Sequence, residues 1–213
     1  MAIKKNVKSA TIASRLSAFD KKILSQGFNY VAGVDEAGRG ALAGPLVAAS
    51  VILPANFYLK GLKECKQLLA SQREQMYNKL IKQALCFKVI EISNVKIDKN
   101  GLQKANIEAL RLAATTLRLS PDFILSDGFA LGSLSTASLR IIKGDEVSLS
   151  IAAASIIAKV HRDRLMTQYN QLYPNYNFDE NKGYGTKAHL QALDEHGPCA
   201  IHRRSFKPIK SLQ

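Results

Sequence analysis

Four acids stand where a folded sheet would gather them. Asp35 and Glu36 follow the apolar run 30–34, Asp127 follows 123–126, and Asp145 follows 139–143. Strand ends on one edge of a sheet are close in space though distant in sequence, so this recurrence predicts three or four carboxylates in one pocket. Gathered like charges repel, and a hard divalent cation such as Mg²⁺ or Mn²⁺ relieves the repulsion through oxygen ligands. Two such ions, about 3.5 to 4 Å apart, activate a water and stabilise the leaving oxygen in phosphodiester cleavage. Any one of these acids, taken alone, reads as a solvated turn residue, since Asp favours turns and glycines follow closely. Four at strand ends favour a metal site. One geometric demand follows: neighbours in a strand point to opposite faces, so Asp35 and Glu36 share metals only where the strand ends or bends, and Gly38 permits a bend.

Other chemistry-bearing patterns fit less well. Gly33 to Arg39 reads G-x-x-x-x-G-R, but Arg39 stands in place of the phosphate-loop lysine and Gly40 in place of its metal-binding hydroxyl. Gly38, Gly40 and Gly44 are spaced one residue too far for a dinucleotide fingerprint, and an apolar β-prone run follows instead of a helix. The histidines His161, His189, His196 and His202 form no HExxH pair. Cys65, Cys86 and Cys199 form no CxxC pair and are odd in number, which argues against a disulfide framework or zinc ribbon and fits a reducing cytoplasm. With 30 Lys+Arg against 17 Asp+Glu, the net charge of +13 favours a polyanionic partner. No apolar stretch is long enough for a membrane span. Lys4, Lys5, Lys8 and Arg15 precede the first acid, Asp20, a composition shared with transit peptides but read here as a basic arm or first helix.

The elements that must position these residues are legible from periodicity. Strands are predicted at 30–34, 45–53, 87–92, 123–125 and 139–142, and helices at 67–84, 102–117, 147–172 and 186–196, the last with Thr186 as N-cap. Residues 174–184 read as a loop. Two strands meeting at a glycine turn, followed by further strands and several helices, predict an α/β fold with a mixed central sheet flanked by helices. Three regions are expected: a basic arm or helix over 1–28, a catalytic core over 29–172, and a C-terminal helical extension over 173–213.

Taken together, Gly33-Val34-Asp35-Glu36-Ala37-Gly38-Arg39-Gly40 and Ala43-Gly44-Pro45 resemble the signature of ribonuclease HII, the type 2 ribonuclease H of prokaryotes. Blocks at Ser126-Asp127-Gly128, Lys143-Gly144-Asp145, Ala152 to Ile156, Ala158-Lys159-Val160, Arg162-Asp163, Lys182 to Thr186 and His202 to Phe206 extend the resemblance over nearly the whole chain. The related ribonuclease HIII carries an additional N-terminal domain and a Gly-Lys-Gly turn, so Arg39 and the short N-terminus point to HII. The resemblance implies a ribonuclease H-like fold with Asp35, Glu36, Asp127 and Asp145 as catalytic metal ligands. It also implies that Gly38, Arg39 and Gly40 recognise the ribonucleotide beside the cleaved bond, and that Tyr184 stacks on the sugar at the RNA-to-DNA junction. Two departures stand out. Cys65 and Gln67 replace a serine and a lysine of the family pattern, and Ser126 replaces an apolar residue.

The resulting expectation is an endonuclease that uses two Mn²⁺ or Mg²⁺ ions. Its substrates would be RNA/DNA hybrids and DNA duplexes with embedded ribonucleotides, cut to leave 3′-hydroxyl and 5′-phosphate ends. It is expected to be a cytoplasmic monomer without membrane contact. A non-catalytic nucleic-acid-binding module and a nucleotide-binding phosphotransferase are the competing readings. Asp163 reads as either an acid supporting the metal site from outside its ligands or a surface ion-pair partner, and is left outside the catalytic set. Tyr169, Tyr173 and Tyr176 read as packing residues, and His202, Arg203 and Arg204 as either a phosphate contact or an exposed basic tail.

Overall fold

A computed structural model of the chain describes residues 16–59 and 69–212. Most of the predicted basic arm and the Cys65–Gln67 departure lie outside the described residues; within the arm, 16–24 is helical. The elements are β1 (Val31–Ala37), β2 (Leu46–Ile52), α1 (Ala70–Gln83), β3 (Cys86–Ile92), α2 (Asn94–Asn100), α3 (Leu102–Thr115), β4 (Phe123–Asp127), β5 (Ala137–Ile141), α4 (Leu149–Leu172), α5 (Phe178–Asn181) and α6 (Lys187–His196). The five strands form one mixed sheet in the order β3-β2-β1-β4-β5. β1 pairs antiparallel with β2 and parallel with β4.

Strand alternation divides the apolar side chains between two cores. Val47, Ala49 and Val51 of β2 pack with Ala152–Ala154 and Ile156–Ala158 of α4, whereas Ala32, Val34, Leu46, Ala48 and Ile52 pack with Ala105, Ala109, Leu110 and Ala113 of α3. Small residues let α4 lie close to the sheet. A Cβ on Gly33 would come within 2.0 Å of the Ser150 carbonyl carbon, so glycine at 33 permits the approach. The start of α4 is fixed by Ser148, whose hydroxyl accepts from the Ile151 N–H at 3.3 Å. From outside the core, Asp20 accepts from the Ser150 N–H at 2.8 Å.

Three predicted features change. β1 continues to Ala37, so Asp35 and Glu36 lie inside the strand, not after it: the β1–β2 ladder holds as far as Ala37 opposite Val47. The short helix α2, capped by Ser93, was not foreseen, because its few apolar positions give no sustained period. Within the predicted loop 174–184, the chain makes a one-turn 3₁₀ helix at Pro174–Tyr176 and then α5. This C-terminal region packs its own cluster, Tyr176, Phe178, Ala192, Leu193 and Ile201, against Leu42, Ala43 and Met166. Among the described residues no helix is long and apolar enough to cross a membrane.

Candidate active site

β1 and β4 run parallel with Val34 opposite Ser126, so one step further Asp35, inside β1, lies beside Asp127, the last residue of β4. Asp35 is only 6% exposed, and its Oδ1 accepts from the Glu36 N–H at 2.7 Å. Burial, then the charges of Glu36 and Asp127, push its carboxyl well above the usual carboxylate range, while the Ser155 hydroxyl of α4 partly opposes this. Glu36 is raised to about 7 by burial and by Asp127, with Arg39 and Asn106 opposing. The two neighbours therefore do face opposite layers, Asp35 toward α4 and Glu36 toward α3. Asp127, at the edge between those layers, acts on both.

Asp145 reaches the cluster differently. It does not end a strand; it sits, 9% exposed, in a 3₁₀ turn (Gly144–Glu146) after β5. That turn is tied to the site because Asp127 Oδ1 accepts from the Gly144 N–H at 2.6 Å. The structure thus couples Asp35, Glu36 and Asp127 electrostatically and places Asp145 one residue from an Asp127 contact. Among the described residues, no three His, Cys, Asp or Glu side chains stand close enough to enclose an ion by themselves.

The donor set nevertheless fits a hard divalent ion. All four groups are carboxylates, Glu36 Oε2 is buried with no hydrogen-bond partner, and mutual repulsion already raises two of the acids. An ion that takes only some of its ligands from protein and the rest from water and substrate phosphate needs no closed protein cage.

Beside Glu36 opens a cleft of about 370 Å³, lined by Ala37, Gly38, Arg39, Gly40, Ser155, Lys159, Arg73 and Tyr184. Gly38 is buried with φ 88°, and a Cβ there would meet Arg162 Nε at 1.9 Å. Gly40 has open space around it, so sterics alone do not require glycine there. Arg39 leans over the Phe129 ring at 4.9 Å and donates to Gln103 Oε1 at 3.3 Å. Tyr184 is 37% exposed at the rim, with Lys159 Nζ 5.9 Å and the Arg162 guanidinium 5.4 Å from its ring centre. The segment Gly33 to Arg39 is strand and turn leading into β2, so it offers no helix N-terminus for the phosphate-loop reading.

Several residues had escaped sequence reasoning. Arg162, inside the charged triplet Arg162-Asp163-Arg164, is fully buried, although its spacing from Ala158 and Met166 placed it on a buried helical stripe. Ser155 and Lys159, which stood in family blocks without an assigned role, line the cleft, as does Arg73, which no motif marked. Asn106 is buried beside Glu36, yet neither of its amide atoms makes a hydrogen bond of ordinary geometry. The basic-tail reading fails for two of its three residues: His202 and Arg203 are fully buried, held by Cys199, His189 and main-chain carbonyls, while Arg204 is exposed. Asp163 pairs with Lys159 at 2.7 Å, as an ion-pair partner should, and Tyr176 packs in the C-terminal cluster.

The chain is similar to known proteins in sequence and fold. A family model described as Ribonuclease HII matches residues 32–209. The chain is 47% identical to a ribonuclease HII of Listeria innocua over 213 residues, covering 99% of this chain and 81% of the relative. It is 47% identical to that of Chlamydia trachomatis serovar D, covering 98% and 96%. The crystal structure of ribonuclease H2 from Pyrococcus horikoshii superposes with a TM-score of 0.73 at 26% identity, covering 86% of this chain and 96% of that one.

Proposed function

The chain belongs to the ribonuclease HII family, a metal-dependent endoribonuclease acting on RNA in RNA/DNA hybrids, and from that premise we propose that it also incises DNA duplexes at embedded ribonucleotides. Asp35, Glu36, Asp127 and Asp145 would hold two divalent ions, Mg²⁺ or Mn²⁺. When bound, such ions supply Lewis acidity toward a water and the scissile phosphate, leaving 3′-hydroxyl and 5′-phosphate ends. The observation that carries the reading is Glu36, coupled electrostatically to the acids Asp35 and Asp127, at the wall of a cleft that the Gly38–Gly40 turn and Tyr184 also line.

The chain's own groups account for substrate selection. Gly38, Arg39 and Gly40 present backbone at the cleft, where close approach to a 2′-hydroxyl distinguishes RNA from DNA. Tyr184 offers a ring face to the sugar on the far side of the cleaved bond. Lys159 and Arg73 bring positive charge to the same cleft, and the chain's excess of 13 positive charges favours a long polyanion across that face. The expected regions, with a core over 29–172 and an extension over 173–213, belong to the same proposal, as do action as a monomer and a reducing cytoplasmic setting. The packing of the C-terminal cluster on Met166 supports the division into core and extension, and the free thiols of Cys86 and Cys199 fit the reducing setting.

The test is incision of a DNA duplex carrying one ribonucleotide, beside an RNA/DNA hybrid, with Mg²⁺ or Mn²⁺. Cutting at the ribonucleotide is expected, and Asp35→Asn should abolish it while leaving binding intact. Hybrid cleavage with no incision at the single ribonucleotide would refute the proposal.

A further inference from the structure

Two guanidinium groups lie fully buried under the cleft, and among the described residues neither forms an ion pair with a carboxylate. Such a charge is costly to bury, and it persists only where it satisfies other buried groups. Arg162 does this for three carbonyls on two segments. Its Nε donates to the Pro45 carbonyl at 2.9 Å, Nη2 to the Ala43 carbonyl at 3.0 Å, and Nη1 to the Lys182 carbonyl at 2.9 Å. Pro45 and Ala43 end the loop that begins with Gly38-Arg39-Gly40; Lys182 lies two residues before Tyr184. Arg203 supports the same loop from the other side, donating to the carbonyls of Gly44 at 3.1 Å and Arg39 at 2.9 Å.

The contacts of Arg162 with the two ends of the cleft are equally direct. Its guanidinium lies 5.4 Å from the Tyr184 ring centre, and its Nε occupies the space that any side chain on residue 38 would need. Leu42 and Ala43 N–H groups also donate to the Gly183 carbonyl, at 2.7 and 3.3 Å, so the loop and the Tyr184 segment already meet through the backbone. Backbone bonds alone leave two segments free to shear; a planar fork with fixed donor directions does not.

We propose that Arg162 is a positioning residue that fixes the distance between the Gly38–Gly40 turn and Tyr184, and thereby the bond that is cut at an RNA-to-DNA junction. The inference rests on the reading of that turn and Tyr184 as the two halves of the ribonucleotide reader. Arg162 itself touches no substrate. Its side chain is wholly covered, so its effect passes through the two halves it joins.

The experiment uses the full chain and a duplex whose cut strand carries four ribonucleotides followed by DNA, with products resolved to single-nucleotide length. The variants are Arg162→Lys, which keeps the charge and loses the fork, Tyr184→Ala, and the double variant. Arg162→Gln replaces Arg162→Lys if the lysine form does not fold, as judged by thermal unfolding. Cut-site distribution is independent of the active fraction, so a merely destabilised protein would cut less but in the same place. Arg162→Lys is expected to spread cutting away from the junction bond and to lower kcat/KM on a single embedded ribonucleotide tenfold or more. The double variant should be no more dispersed than Tyr184→Ala alone, because both changes break one device. Unchanged cut sites in Arg162→Lys, with dispersion in Tyr184→Ala, would overturn the inference and leave the reader standing. Additive dispersion in the double variant would also overturn it. Unchanged cut sites in all variants would remove the reader itself, and the inference with it.

Discussion

Acid should loosen the support of Tyr184 through a pair of buried histidines. Cys199 N–H donates to His202 Nδ1 at 2.9 Å, which leaves His202 Nε2 as the protonated nitrogen facing His189 Nε2 at 3.0 Å. His189 Nδ1 must then carry the proton it shares with the Tyr184 carbonyl at 2.9 Å. Both rings are neutral in this arrangement, and a further proton would set two N–H groups against each other. Burial first, then His189 and Arg204, lower His202 from 6.5 to about 4, while burial lowers His189. The other groups facing the pair are the Tyr176 and Phe178 rings and the Cys199 thiol. Because the folded value is depressed, the stabilisation is fully present above pH 6.5 and is lost as pH falls toward 4. The whole loss for His202 is about 3 kcal/mol, of which about 2 kcal/mol falls between pH 7.5 and 5. In a chain of this size that is about 4–8 °C in Tm. Asp20, Asp35 and Glu36 are raised and work in the opposite sense, so the absolute slope mixes both effects. Comparing wild type with His202→Gln isolates the histidine: the variant starts less stable but should lose about 4–8 °C less between pH 7.5 and 5. Equal slopes in calorimetry at matched ionic strength would refute the argument.

Other perturbations have defined outcomes. Asp127→Asn should lower incision at least about 100-fold, since losing even an outer-shell partner of a metal costs 10–100-fold; steady-state kinetics at saturating Mn²⁺ checks this. Ser155→Ala, which removes the hydroxyl favouring ionised Asp35, should cost about tenfold and show as a weaker metal dependence of the rate. Adding Mg²⁺ or Mn²⁺ to chelator-treated protein should raise its Tm, because an ion that binds only the folded carboxylates stabilises that state. Gly33→Ala should destabilise the fold by about 3 kcal/mol in urea titration, because the new methyl meets the α4 backbone rather than a movable side chain. Glu74→Ala, which breaks the exposed bridge to Arg164, should cost less than about 1 kcal/mol.

The sheet and most helices were legible because their periodicity is strong: Ala105, Ala109 and Ala113 mark one face of α3, and Thr186 caps α6 by accepting from the His189 N–H at 3.3 Å. Strand ends were less legible. Asp35 and Glu36 look like turn residues in sequence, yet the ladder to β2 carries them inside the strand, since pairing depends on a partner that local sequence does not reveal. The buried arginines were hidden for a similar reason. Arg162 and Arg203 stand in strongly basic surroundings where solvent exposure is the ordinary expectation, and only the tertiary placement of five carbonyls explains their burial. The acids were legible as candidates because metal-ion chemistry needs like charges together. Nothing in sequence fixes how Asp145 approaches them, because a 3₁₀ turn after Lys143, with φ 53°, sets its direction.

That adjacent carboxylates occupy opposite faces makes their lengths a constraint as strict as their charges. Asp35 lies under α4, buried and anchored by the Glu36 N–H, while Glu36 starts on the α3 side, beside Asn106. For both to serve ions near Asp127, the side chain on the α3 side must reach around the strand end, and the extra methylene of glutamate supplies that reach. Glu36→Asp keeps the charge and withdraws the carboxylate by roughly one bond length. A displacement of about 1 Å at a reacting centre costs up to about 100-fold, so this swap should lower kcat by one to two orders of magnitude with the protein fully folded. Asp35→Glu meets the opposite problem, since a longer side chain must be overpacked against Ser155 and α4; it should lose stability as well as rate. Side-by-side kinetics and thermal unfolding separate the two. If Glu36→Asp retained wild-type kcat within a few-fold, reach would not be what distinguishes these neighbours, and the opposite-face geometry would carry no catalytic consequence.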